Sequence, residues 1–357
     1  LVPGADRFLN EYVPREDSTR TWLTGFDGST GEAFLPASPD QRGWLAVDGR
    51  YELQAEEQTR ETAFGVEHVP LGQAVWARHC ERVAEWARQQ GAAPRIGYPS
   101  HRCDERALTT LREAVGQDAV LVPTRPSPVE SARGPIEEAI GGLRVVEPAR
   151  GGGTLAEKLA RIQGALSAAG VDGFLVQRLD ALAWLTGLRA CELPYQATFR
   201  GAGLISGEGL ILALPGGAER LPAGVASEIQ VVAELEGSFR AGLKVGYASA
   251  ATSVAWLDSI RAAGATPVSL ACPLSPLMAH KEPGELAAMR EAFAAADRVM
   301  EGAIAFVNSA LDAGRRVSES DLAAKVEALF LQAGALGLSF KVIAAAGANG
   351  AKIHYST

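Results

Sequence analysis

The chain has 357 residues, which is too long for one hydrophobic core and predicts two or three domains. Apolar residues make up 47% of the sequence and charged residues 21%, so an intrinsically disordered chain is excluded. The formal net charge of −8 argues against a nucleic-acid or anionic-membrane partner. The sequence has no run of 18 or more apolar residues, so no membrane span is predicted.

The first predicted unit begins with a short strand at residues 1–2. It contains the sequence WLTG at residues 22–25 and the strand-like RIGY at residues 95–98. A segment rich in proline and glycine follows at residues 123–153, which is typical of a domain boundary. We therefore predict a first domain over residues 1–150.

The second predicted unit begins with a helix, because Thr154 and Glu157 form a capping box before apolar residues at helical spacing. Gly170 ends this helix, and residues 173–176 form a buried strand. WLTG then recurs at residues 184–187, and KVGY at residues 244–247 matches RIGY. These two repeated motifs predict a duplicated αβ unit. Its second copy spans residues 151–275, and its first copy lacks the leading helix.

The third region, residues 276–357, has a different pattern. A long helix is predicted over residues 283–311, and Ser318 with Asp321 caps a second helix that ends at Gly334. Residues 340–346 are predicted as a strand that meets a tight turn at Asn349-Gly350, with a second strand starting at residues 353–355. Two helices and a hairpin resemble the beginning of a larger domain.

The cysteine and histidine spacing predicts no local metal motif. The cysteines include no CxxC pair, so we expect free, mostly buried thiols in a reducing cytoplasm and no disulfide framework. No charged segment followed by an apolar run indicates a signal peptide. The histidines form neither HxxxH nor HxH. The four cysteines are Cys80, Cys103, Cys191 and Cys272, and the five histidines are His68, His79, His101, His280 and His354.

Seven segments in this order resemble the aminopeptidase P family, the three-domain Xaa-Pro aminopeptidases of the creatinase and prolidase superfamily. The resemblance covers nearly the whole chain and implies two related creatinase-N-like α/β domains with mixed sheets, followed by the start of a pita-bread (α+β) catalytic domain. The segments are EYVP (11–14), WLTGFDGSTG (22–31), VDGRYELQA (47–55), LDALAWLTGLR (179–189), PYQATF (194–199), HKEPGELAAMREA (280–292) and GANGAKIHY (347–355).

The resemblance also implies a reaction, the hydrolysis of the bond between an N-terminal residue and a following proline. Family members use two divalent metals, commonly manganese, held by two Asp, one His and two Glu, and a metal-bridging hydroxide attacks the carbonyl. The expected partners are peptides with proline at the second position and a second copy in a homodimer. His354 matches a family histidine that hydrogen-bonds the substrate and its oxyanion without binding metal.

The family's metal ligands lie downstream of the segment that resembles GANGAKIHY, and nothing follows Thr357 here. We therefore assign no metal ligand in this chain and expect the 357 residues alone to bind no catalytic metal and to be inactive. The sequence leaves three explanations open: a fragment of a longer enzyme, a truncated gene product, or the resolved part of a longer chain.

Other candidate residues have two interpretations each. Residues 48–51 could touch substrate, but a turn with a charged pair is favoured. The loop at residues 191–195 could lean over a neighbouring active site or be a proline-braced connector. Gly151-Gly152-Gly153 is favoured as a linker over a phosphate cradle. His280 is expected on the surface. Glu282 and Glu285 are expected to stabilise the start of a helix, because acidic side chains interact favourably with the positive end of the helix dipole.

A second functional class stays open. Some pita-bread proteins bind peptides or proteins without metal and without catalysis, such as the amino-terminal domain of a large histone-chaperone subunit. The acidic composition permits this alternative.

Overall fold

A computed structural model describes residues 1–225 and 229–355. The first part of the chain forms an α/β unit in which β1 runs antiparallel to β2, β2 parallel to β3, and β4 parallel to β5. Its elements are α1 (Thr19–Thr24), β1 (Glu32–Phe34), β2 (Gly43–Val47), α2 (Glu52–Thr59), β3 (Phe64–His68), α3 (Val75–Arg88), β4 (Arg95–Pro99), α4 (Glu105–Val115), β5 (Val120–Thr124) and α5 (Pro128–Arg133).

The second α/β unit has a mixed six-stranded sheet of order β11-β10-β9-β7-β12-β13, and the short β6 pairs with β8. Its elements are β6 (Arg144–Val145), α6 (Leu155–Ala168), β7 (Gly173–Val176), α7 (Leu179–Thr186), β8 (Leu188–Arg189), β9 (Ala202–Ser206), β10 (Gly209–Ala213), β11 (Ile229–Val232), β12 (Lys244–Tyr247), α8 (Val254–Ala262), β13 (Thr266–Ser269) and α9 (Leu274–Ala279).

The two units share one topology. Val2 pairs antiparallel with Ala33 of β1, and the Leu1 nitrogen donates to the Gly97 carbonyl of β4 at 2.8 Å. Residues 1–2 therefore take the place of β7, and the order β3-β2-β1-(1–2)-β4-β5 matches that of the second sheet. The pairs β3–β2, β2–β1, β1 with residues 1–2, and β4–β5 run in the same relative directions as their counterparts. The predicted duplication is confirmed, while the boundaries at residues 150 and 275 remain predictions.

The two units face each other through equivalent residues. The segments after β4 and β12 exchange backbone hydrogen bonds around an isolated bridge between Asp104 and Ser253, so each bond has a mirror image. Such reciprocal contacts define an approximate twofold axis. The bonds run from Val254 N–H to Cys103 (2.9 Å) and from Glu105 N–H to Thr252 (3.3 Å), then from Ala255 N–H to Ser100 (2.9 Å) and from Arg106 N–H to Ser249 (3.1 Å).

The third region consists of α10 (Pro283–Asp312) and α11 (Glu319–Gln332), which pack through Val299, Ala303 and Val326. Both helices were predicted, and both have the local signals expected of their starts. Ser318 and Asp321 form a capping box, and Pro283 occupies the first turn of α10. In the described residues, no helix is long and apolar enough to cross a membrane.

The predicted terminal hairpin is wrong. Residues 340–346 have no regular strand, a 3-10 turn occupies Gly347–Ala351, and residues 353–355 do not form a strand. A strand is stable only when a neighbour satisfies its backbone groups, and no described strand pairs with this segment. The Ala346 N–H instead donates to the Glu319 carboxylate at 2.5 Å.

All four cysteines are free, as predicted, but only two of them are buried. Cys80 and Cys103 lie in the core of the first unit, Cys272 is half-buried, and Cys191 is exposed. The expectation of mostly buried thiols therefore holds for the first unit alone.

The start of α10 is fixed to the second unit by polar contacts. Glu285 accepts a hydrogen bond from Trp184 Nε1 at 3.0 Å, and its second oxygen accepts from the Glu282 N–H at 2.9 Å. Arg150 and Arg161 form ion pairs with Glu291 and Glu282. Glu282 and Glu285 thus cap the helix, as predicted, and Glu285 in addition joins it to α7.

Lys158 supports the same junction from the inside. Its buried ammonium donates to the carbonyls of Gly151 and Trp184, both at 2.6 Å, and lies 4.6 Å from the Trp184 ring centroid. The glycine-rich segment is therefore a turn held by a lysine, which agrees with the linker interpretation.

Replacing Lys158 by methionine should change how stability depends on pH. Burial, followed by the charge of Arg189, lowers the pKa of Lys158 from 10.5 to about 8. The folded state then binds fewer protons than the unfolded state between about pH 8 and 10.5, so this lysine favours folding more as the pH rises through that window. We expect the unfolding free energy of the wild type minus that of Lys158→Met to increase from pH 7 to pH 10. Lys244→Met, at an exposed position, is the control, and a difference independent of pH would contradict the prediction.

Candidate functional site

The turn after β2 has a charged pair at its centre. Arg50 donates to both oxygens of Asp48, and the Arg50 N–H donates to the same carboxylate. These hydrogen bonds from Arg50, with a smaller contribution from the charge of His354, lower the pKa of Asp48. The favoured interpretation of a turn with a charged pair describes the local geometry, and a role in substrate binding remains a prediction.

His354 lies against the same turn. Its ring is 5.0 Å from the ring of Tyr51, centroid to centroid, at an interplanar angle of 31°. Tyr51 is buried, packs edge-on against Phe26 at 5.7 Å and shares a 2.9 Å hydrogen bond with Ser29. The core of the first unit therefore positions the aromatic surface that His354 contacts.

The segment that carries His354 is held at two points. Glu319, at the start of α11, accepts hydrogen bonds from Asn349 Nδ2 at 2.8 Å and from the Tyr355 hydroxyl at 2.9 Å. Lys352 forms a 2.6 Å ion pair with Glu57 on α2. The first unit and the third region thus fix the position of His354 together, although no hairpin forms.

The loop at residues 191–195 approaches from the second unit. Glu192 is buried and anchors the loop, because its carboxylate accepts from the Arg200 N–H at 2.6 Å and pairs with Arg220. Tyr195 has a left-handed backbone (φ 61°), which is uncommon outside glycine, and its ring packs edge-on against Tyr12 at 5.7 Å. The proline-braced connector interpretation fits this anchoring.

The two aromatic pairs are linked through Ser29, whose hydroxyl donates to Glu11, the neighbour of Tyr12, at 3.0 Å and shares a hydrogen bond with Tyr51 at 2.9 Å. Desolvation, followed by the charges of Glu11, Tyr51 and Tyr195, raises the pKa of Tyr12. The candidate site, which we call the tyrosine–histidine surface, therefore comprises Tyr12, Tyr51, Tyr195 and His354. Sequence reasoning found His354 and quoted the motifs that contain the tyrosines, but it did not single out Tyr12, because its packing partner lies in another unit.

The tyrosine–histidine surface offers hydrogen bonding and aromatic contact but no metal site. Among the residues that the structure describes, no three His, Cys, Asp or Glu side chains converge as metal ligands. Four carboxylates of the third region have structural roles: Glu282, Glu285 and Asp321 take part in helix caps, and Glu291 forms an ion pair with Arg150. The described residues therefore do not fit a two-metal centre.

Two cavities lie away from His354. One, of about 910 Å³, separates the two α/β units, and the other, of about 660 Å³, lies at the carboxyl ends of β7, β12 and β13. The smaller cavity reaches Tyr12 and Gln196, so it borders the tyrosine–histidine surface. His280 is exposed and lines neither cavity, as expected for a surface residue.

Three family models match the chain. Creatinase/Prolidase N-terminal domain models match residues 12–133 and 141–214, and the model of Metallopeptidase family M24 matches residues 287–357. The fold thus defines a protein with paired creatinase-type domains followed by a metallopeptidase-family segment.

Relatives of the same layout specify the family. An uncharacterized peptidase of Schizosaccharomyces pombe is 26% identical over 374 residues, covering 100% of this chain and 59% of the relative. A probable Xaa-Pro aminopeptidase P of Neosartorya fischeri is 27% identical over 384 residues, covering 99% and 56%. The chain is similar over its whole length to members of the aminopeptidase P family, and it spans a little over half the length of these relatives.

The crystal structure of X-prolyl aminopeptidase from Caenorhabditis elegans, described as a cytosolic enzyme with a di-nuclear active site, has the same fold. Its TM-score to this chain is 0.84 at 20% identity, covering 99% of this chain and 58% of the other. The predicted α/β architecture with two creatinase-N-like domains and the start of the catalytic domain is confirmed.

Proposed function

We propose that this chain is part of a metal-dependent Xaa-Pro aminopeptidase and that it supplies His354 to the substrate. The observation that supports this role is the position of His354 against the Tyr51 ring. The segment that carries His354 is held there by its contacts with Glu319 and Glu57. A donor fixed from two sides loses little entropy when it binds a reacting group, which favours catalysis.

The proposed substrates are peptides with proline at the second position. The bond before proline has a tertiary nitrogen with no N–H and a fixed φ angle, so it cannot be recognised as an ordinary extended strand. Aromatic faces suit the apolar proline ring, and the tyrosine–histidine surface offers two partly exposed ones in Tyr12 and Tyr195. We further propose a homodimer and a cytoplasmic location.

Two divalent metals, with manganese as the proposed ion, would activate water and polarise the scissile carbonyl in the intact enzyme. The described residues offer no ligand set for them, so the proposal places the ligands outside this chain. The residues of this chain are assigned binding and orientation only.

An exposed apolar face on the third region supports this arrangement. Phe293 is 68% exposed and Ile304 58%, although both lie on a long helix that packs mainly against α11 and residues 148–150 among the described residues. Apolar surface of this kind is typically covered by protein. We propose that further catalytic-domain residues cover it in the full-length protein.

The experiment compares the full-length protein with the 357-residue chain. Each is assayed for hydrolysis of a peptide with proline at the second position and of the same peptide with alanine there, and its metal content is measured. We expect cleavage only of the proline peptide, only by the full-length protein, together with bound manganese. Peptide binding without cleavage by a metal-loaded full-length protein would refute the proposal and favour a non-catalytic relative.

A further inference from the structure

The cavity of about 910 Å³ between the two α/β units has the location and size of a ligand site. Its lining comes from both units: residues that follow β4 and β5 on one side, and residues that follow β11 and begin α8 on the other. Small-molecule sites in α/β proteins commonly lie at domain interfaces and beyond the carboxyl ends of strands, in volumes of about 300–1,000 Å³. No residue of the tyrosine–histidine surface lines this cavity.

The duplication supplies an internal comparison for the lining. His101 and Arg102 follow β4, whereas the equivalent places after β12 hold Ala250 and Ala251, and both segments make the same reciprocal bonds across the twofold axis. The backbone of this turn therefore does not require a histidine or an arginine.

The polar side chains on this wall are held in place. Arg102, with 4% of its side chain exposed, forms ion pairs with Asp17 and Glu130. His101 Nε2 lies 2.8 Å from Glu130, while its buried Nδ1 has no hydrogen-bond partner in residues 1–225 and 229–355. His101 lines the cavity, but its Nδ1 is itself buried and its Nε2 is paired with Glu130, so its ring contributes shape to the wall.

The remaining charges on the lining are of both signs. Arg7 pairs with Glu138, but Arg125 on the first unit and Glu234 and Glu236 on the second form no ion pair within the described residues. A ligand that satisfies both walls needs a carboxylate for the guanidinium and an ammonium for the carboxylates. A polyanion such as a nucleotide would meet the two glutamates.

We propose that this cavity binds a short zwitterionic peptide, with its carboxylate at Arg125 and its ammonium at Glu234 and Glu236. The volume exceeds what a single amino acid needs, so a peptide of a few residues fits it better. The site is separate from the proposed catalytic function, because its lining excludes His354.

Isothermal titration calorimetry of the 357-residue chain with triglycine tests the proposal, since this peptide is zwitterionic and contains no proline. We expect saturable 1:1 binding, and at least a tenfold weaker affinity for N-acetyl-triglycine amide, which carries neither terminal charge. Arg125→Ala and Glu234→Gln/Glu236→Gln should each weaken triglycine binding about tenfold, and His101→Ala, which reproduces the second unit, should weaken it less.

Arg240→Ala removes an exposed arginine outside the cavity and is the matched control, for which unchanged binding is expected. Circular dichroism of each variant establishes that it is folded, and Arg125 is exposed enough for its loss to leave the core intact. No saturable binding to the wild type, equal affinity for the blocked peptide, or variants that bind like the wild type would each overturn the proposal.

Discussion

The His354→Ala variant of the full-length protein is expected to keep its fold and its metals and to lose most of kcat. The imidazole would donate to the carbonyl oxygen, which gains negative charge as water attacks, so the bond strengthens in the transition state. Losing one such donor typically costs on the order of 10²–10³ in kcat, or about 2.7–4 kcal/mol. Kinetics with a proline peptide and metal analysis of the same sample measure both properties.

His280→Ala is the control for this variant, because His280 is exposed and lies at the far end of α9, and it should leave kcat unchanged. Loss of metal from His354→Ala would make His354 a ligand or a structural support. An unchanged kcat would show that the position has no catalytic role and that the family assignment at this residue is wrong.

Gly284→Ala is expected to displace the start of α10 from the second unit. A Cβ at this position would overlap the carbonyl oxygen and carbon of Ala149, neither of which can move like the end of a flexible side chain. Overpacking of this kind costs about 1–3 kcal/mol. We expect faster hydrogen exchange in residues 283–289 and 148–153 and a lower unfolding temperature.

Gly164→Ala gives the matched comparison for this prediction. Gly164 also lies in a helix, α6, but a Cβ there meets no atom within 4 Å, so alanine should stabilise the protein by about 0.5–1 kcal/mol. If Gly284→Ala is as stable as the wild type, with unchanged exchange at the junction, the close approach of α10 to Ala149 does not constrain the protein.

The sequence predicted those features that depend on neighbouring residues. The helices at Thr154 and Ser318 begin where capping boxes place them, because each cap satisfies orphan N–H groups within a few residues. The duplication was visible because two short motifs survive in both copies, and the sheets confirm it.

Features that depend on distant partners were not predicted. Residues 340–346 have the composition of a strand, but pairing decides whether a strand forms, and the segment is held instead by Glu319. The Tyr12–Tyr195 contact joins residues from two units, so no local pattern indicates it. The candidate site was therefore predicted only at His354, through the family resemblance.

The twofold arrangement of the α/β units has a consequence for how their surfaces can change. In a dimer of identical subunits, every substitution at the interface appears twice, so a residue must suit both sides of the axis. Here the equivalent places are encoded separately, and one can hold Asp104 while the other holds Ser253. The matching tryptophans have diverged in the same way: Trp184 is 7% exposed and binds Glu285 of α10, whereas Trp22 is 50% exposed. Because the two units are encoded separately within one chain, the second unit can contact the third region through Trp184, while the equivalent position in the first unit makes no such contact among the described residues.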